Sequence, residues 1–105
     1  MPLNLSGASQ EEYRFEGPFT ETGDLSDRPG IFIIVSSYGN MVYPIDIDVA
    51  QEIKSVVENH DRHPCWEKSS KNEVLFGAYY TDFKDEDDRK AVADDIRKNY
   101  RFPCG

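Results

Sequence analysis

Four side chains are of the types that hold zinc or attack a carbonyl carbon: His60, His63, Cys65 and Cys104. Three of them fall in one short run, His60-Asp61-Arg62-His63-Pro64-Cys65-Trp66. A His-x2-His-x-Cys spacing is tight enough for imidazole and thiolate to share one cation, although it is not the spacing of a standard zinc finger. A thiol near an imidazole is also the pair used in nucleophilic catalysis, with Cys65 as nucleophile and His60 or His63 as base if the two are in hydrogen-bond contact. Against both stands a structural reading, which is the stronger. In it His60 closes a helix, Asp61 and Arg62 are paired or bonded to loop backbone, and Trp66 packs under the C-terminal segment. No cofactor is then required, and zinc is the one candidate.

The chain ends Phe102-Pro103-Cys104-Gly105. Like the His60–Trp66 run, this ending follows a helical pattern, carries a Cys beside a Pro and supplies a bulky aromatic. These parallels predict a clasp in which Pro103 and Cys104 dock against His60, Asp61, Arg62, Cys65 and Trp66, with Trp66 and Phe102 buried together. Two cysteines are too few for a disulfide scaffold, and in a reducing compartment the default is two free thiols, bonded only if they meet in space.

The elements that must position these residues follow from the periodicity. Ile31 to Ser36 is a continuous β-branched and aromatic run, as expected of a central strand buried on both faces. A Gly39-Asn40 connection to Met41-Val42-Tyr43-Pro44-Ile45-Asp46-Ile47 predicts an antiparallel hairpin, and Pro44 places its second strand at an edge or a bulge. From Asp48 the apolar period becomes helical through Val49, Ile53, Val56, Val57 and His60, with Asp48 as N-cap and Gln51 completing a capping box. Residues 73 to 81 read as a third strand. A last helix runs from about Asp85 to Tyr100, with acidic residues in its first turn and Arg97 and Lys98 in its last. Residues 13 to 28 read as a wrapping segment whose aromatics lean on the core. Residues 1 to 12 are small and polar and are expected to be a flexible tail.

At 105 residues the chain is long enough for one domain, here residues 13 to 105. No apolar run approaches the roughly 18 residues that span a bilayer. The N-terminus lacks the basic and apolar regions of a secretory signal, which points to a cytoplasmic setting. With 12 Lys and Arg against 20 Asp and Glu, the net charge of -8 repels phosphate backbones and argues against nucleic acid as partner. Binding it would need Lys54, Arg62, Lys68, Lys71 and Arg101 on one face. A monomer is expected, and a protein is the partner class left open.

A strand opening Gly30-Ile31-Phe32, a short turn, a second strand and a helix ending in His together resemble the GIY-YIG nuclease fold from about residue 13 to 105. The resemblance is to a small branch with a His-Asp-Arg-x-x-Cys-Trp motif, here His60 to Trp66, and a Pro-Cys-Gly ending, here Pro103 to Gly105. It implies an α+β domain with a three-stranded, mainly antiparallel sheet and flanking helices. It also implies positions for a tyrosine, an arginine and a metal-holding glutamate, which an ungapped count places at Phe32, Val56 and Ala93. None of the three carries the required hydroxyl, charge or carboxylate. The expectation is a catalytically inactive interaction or regulatory module, with a residual or repurposed metal-dependent nuclease or hydrolase as the alternative.

Overall fold

The computed structural model describes residues 3–39, 41–70 and 73–105. Its strands are β1 (Leu3–Ser6), β2 (Glu12–Phe19), β3 (Gly30–Tyr38), β4 (Met41–Ala50) and β5 (Glu73–Tyr80), and its helices are α1 (Ile53–Glu58), α2 (His63–Ser69) and α3 (Glu86–Arg97). The strands form one antiparallel sheet in the order β1-β2-β5-β3-β4, curled as a half-barrel.

The three-stranded sheet implied by the resemblance is therefore corrected to five strands. The two additional strands come from the segments expected to be tail and wrapping. Leu3 and Leu5 alternate with Asn4 and Ser6, and β1 pairs with β2 from Leu3↔Phe15 to Ser6↔Glu12. Phe15 is wholly buried in the core. Gly17 and Pro18 interrupt the pattern of β2, and its register against β5 shifts between Glu16 and Phe19. Proline offers no N–H to a ladder, which is why this stretch does not read as a strand.

β3 is buried on both faces, as its composition predicts, but the central place expected for it belongs to β5, and β3 lies between β5 and the edge strand β4. The side chains of β3 alternate between two buried layers. Ile31, Ile33 and Val35 face α3, where Val92, Ala93 and Ile96 meet them with Leu5, Phe15 and Phe102. Phe32 and Ile34 face α1 and α2, against Ile53, Val57, Trp66 and Leu25. Burial on both faces supplies the main apolar driving force, about 25 cal/mol per Å² removed from water. Gly30 is required at the start of β3, because a Cβ there would collide with the Tyr79 carbonyl.

The helix expected from Asp48 to His60 is reduced to α1, Ile53–Glu58. β4 runs on to Ala50, pairing Gly30↔Ala50, so Asp48 is a strand residue and not an N-cap. α1 is only six residues long. α2 is a helix that the polar run was not expected to form, and Pro64 lies in its first turn, where its missing N–H costs nothing. α3 begins as expected, with the Asp85 carboxylate accepting from the Asp88 amide at 2.8 Å.

Candidate functional site

The site is built on an irregularity in β4. The β3–β4 register slips between Ile34 and Val35, which pair with Asp46 and Pro44 and leave Ile45 as the extra residue. The bulge turns two successive side chains, Ile45 and Asp46, toward the α1–α2 layer. Asp46 is thereby driven into the interior, with no exposed surface.

Three groups accommodate its charge. Trp66 Nε1 donates to Asp46 Oδ2 at 2.7 Å, and the Ile47 amide donates to Oδ1 at 2.8 Å. Arg62 Nε lies 3.1 Å from Oδ2. The rest of the Arg62 guanidinium is also bonded, one NH2 to Asp48 Oδ2 and the other to the Cys104 carbonyl, each at 3.0 Å. The buried carboxylate thus has one guanidinium N–H and two further donors, which together leave its charge paired and hydrogen-bonded. Sequence reasoning missed Asp46, whose only signal was an acidic residue between two isoleucines, opposite a strand buried on both faces.

The histidines are packed around Trp66. The ring centroids of His60 and His63 lie 5.0 and 4.5 Å from that of Trp66, and Phe32 meets His60 edge-on. His60 Nδ1 accepts from the Arg62 amide at 3.1 Å. Burial, reinforced by the Arg62 charge, pushes the His60 imidazole below its ordinary pKa. His63 Nε2 donates to the Val57 carbonyl at 2.6 Å. Asp61 is exposed.

Cys65 and Cys104 meet, and they are joined by a disulfide with a Cα–Cα distance of 6.0 Å. Neither sulfur can then act as a thiolate toward metal or substrate. Among the described residues no three His, Cys, Asp or Glu side chains converge as a cation site. The ending reaches the His60–Trp66 run through the disulfide and the Arg62–Cys104 bond, and reaches β4 through the Cys104 amide, which donates to the Ile45 carbonyl at 3.0 Å. The expectation that Trp66 and Phe102 are buried together is corrected. They occupy opposite faces of the sheet, Phe102 in the α3 layer and Trp66 in the α1–α2 layer that Cys104 reaches.

The positions at which the resemblance would seat a catalytic set do not converge. Phe32 lies in the α1–α2 layer and Ala93 in the α3 layer, across the sheet from it, while Val56 is on the outer side of α1. Among the cations considered together, Arg62 is committed to Asp46 and Asp48, Lys68 and Arg101 are exposed, and Lys71 lies outside the described residues. No helix is long and apolar enough to cross a membrane among the described residues. No protein-family model, curated protein or solved structure matches this chain.

A second surface feature lies at the far end of the same hairpin. Beyond the cover of α2, Tyr38, Met41, Val42 and Tyr43 are exposed, Tyr38 by 59% and Met41 by 60%. Tyr38 and Met41 are cross-strand partners, and the Tyr43 hydroxyl approaches the Met41 sulfur at 3.7 Å. Two-residue alternation puts Tyr43 on the same face as this pair and Val42 on the other.

Proposed function

We propose that this domain is a non-catalytic interaction module whose contact surface is the tip of the β3–β4 hairpin. The observation that carries the reading is the grouping of Tyr38, Met41 and Tyr43 on one exposed face. Aromatic and Met side chains are the residue types enriched where proteins meet, and a clustered apolar patch has a cost in water that a partner removes. The chemically capable residues of the chain support the same reading, because His60, Arg62, His63, Cys65 and Cys104 are occupied within the fold. With a net charge of -8 the partner is a protein carrying positive charge around an apolar pocket. The setting proposed is cytoplasmic.

The test is a comparison of immobilised wild-type protein with a Tyr38→Ser/Met41→Ser/Tyr43→Ser variant and a Phe83→Ser control, Phe83 being the most exposed aromatic away from the hairpin. A protein retained by wild type and control and lost with the triple variant supports the reading. The purified pair should bind at least tenfold more weakly when the tip is altered, and associate more slowly as salt is raised. Identical capture by all three proteins would refute it.

A further inference from the structure

We propose that the Cys65–Cys104 disulfide is a reversible redox latch on the edge strand β4, opened by low-molecular-weight thiols. β4 is the last strand of the sheet. The chain end folds over its edge at the bulge, with the Cys104 amide on the Ile45 carbonyl and the Cys104 carbonyl on Arg62. Phe102 is anchored in the α3 layer, so the hinge for any release lies at Phe102-Pro103. Beyond that hinge, the described residues 103–105 are held to the rest of the fold by those two hydrogen bonds, a weak Ser69 hydroxyl contact to the Cys104 sulfur, the marginal packing of Cys104 and the disulfide. Two net hydrogen bonds and one marginal contact do not exceed the conformational entropy that three ordered residues lose, so the covalent link decides whether the end stays down.

The disulfide is placed for exchange. Both cysteines are half-buried, Cys104 resting against the margin of the α1–α2 cluster. Ser69 Oγ lies 3.5 Å from Cys104 Sγ and 3.9 Å from Cys65 Sγ, a hydroxyl able to donate to whichever sulfur leaves. A small thiolate attacks Cys104 Sγ and the bond to Cys65 breaks. The electron pair departs on Cys65 Sγ, which then takes a proton from water. A second small thiolate displaces Cys104 as thiolate, which is protonated in turn, and the small thiol leaves as its own disulfide. Two electrons pass from the thiol pair to the protein. Reoxidation by a small disulfide reverses both steps. In a cytoplasmic setting a disulfide of this kind is redox-sensing, because the compartment's thiols keep unstrapped cysteines reduced.

Opening the latch has a local consequence. The Ile45 carbonyl loses its donor, and Arg62 loses one of the three acceptors that orient it on the buried Asp46. The α3-side core holds neither sulfur, and the α1–α2 core loses only the Cys104 contact at its margin, so both stay packed.

Hydrogen exchange of the full chain, followed residue by residue in glutathione buffers of graded ratio, tests the proposal. On reduction the Cys104 amide should lose at least tenfold in protection, while the Arg62 amide, which is bonded to His60, and Ile33 and Ala78 in β3 and β5 keep theirs. Protection should return on reoxidation. Cys104→Ser should show the reduced pattern under oxidising conditions, and Ser69→Ala should slow the exchange step without changing the oxidised pattern. Unchanged Cys104 protection after reduction, loss of protection throughout the sheet, or a disulfide that no glutathione ratio reduces would each overturn it.

Discussion

Trp66 Nε1 donates to Asp46 Oδ2 at 2.7 Å, and neither side chain exposes any surface to solvent. Asp46→Ala would leave both the indole N–H and the Arg62 guanidinium without their shared acceptor, at a cost of about 3–5 kcal/mol. Asp46→Asn, which keeps an acceptor but loses the charge, should cost less. Urea unfolding followed through Trp66, the chain's one tryptophan, measures both. Equal stability for wild type and Asp46→Ala would mean that the knot contributes nothing.

The cross-link and the aromatic anchor before it are separable. The disulfide spans a sequence separation of 39, so Cys104→Ser should lower stability by about 2–4 kcal/mol on the chain-entropy account. Phe102→Ala, with the disulfide intact, should cost about 3–5 kcal/mol because it opens a cavity under α3. Denaturant midpoints of the two variants decide this. Chelators should move neither midpoint.

Tyr13 and Asp95 hold β2 to α3 through a phenol–carboxylate bond of 2.8 Å. Burial first, and Asp95 second, push the Tyr13 phenol up to about 12. The protonated phenol is thus favoured by folding, and its stabilisation is complete below pH 10 and lost between 10 and about 12. Bonds from Ser9 and Tyr13 hold the Asp95 carboxyl below its usual value of 3.8. That contribution is present above 3.8 and lost as the pH falls through the lower, folded-state value. Melting temperatures across the pH range should show both declines, and Tyr13→Phe should erase the alkaline one.

Arg89 is buried among neutral oxygens, donating to Thr81 Oγ1 at 2.9 Å and to the Lys84 carbonyl at 2.6 Å. It fixes the turn from β5 into α3. Arg89→Ala should cost about 2–3 kcal/mol. Arg89→Lys should recover only part of this, since one ammonium cannot reproduce the fork that reaches both oxygens. Thermal unfolding and exchange of the Lys84 amide report the two effects.

What the sequence made legible was set by how much each segment states locally. Ile31 to Val35 could only be a strand buried on both faces, and the turn after Tyr38 forced the hairpin. The acidic start and basic end of α3 announced its direction. β1 has four residues and β2 is broken by Gly17-Pro18, so neither carries enough periodicity to be recognised without its partner. The meeting of Cys65 with Cys104 was legible as a clasp but not as a bond, because only the fold brings the sulfurs together. Asp46 was illegible as a site. Its burial follows from a one-residue bulge whose position is fixed by pairing with β3, and Asp48, two residues on, reads the same way in sequence yet remains on the rim.

The cover over the bulge also bears on how this chain behaves in a crowded solution. An open strand edge templates the next copy, and edge-to-edge growth begins where carbonyls and amides point outward unpaired. Along β4 the Ile45 carbonyl is taken by Cys104, the Ile47 carbonyl by Arg97 at 2.7 Å, and Pro44 presents no amide at all. The opposite edge, β1, is only four residues long. Mutual repulsion between copies at -8 adds a second barrier. Trimming the last three residues uncovers the Ile45 carbonyl and so weakens the first barrier while leaving the second, and such a protein should stay dispersed at low salt and be more prone than the full chain to strand-paired aggregation once salt screens its charge.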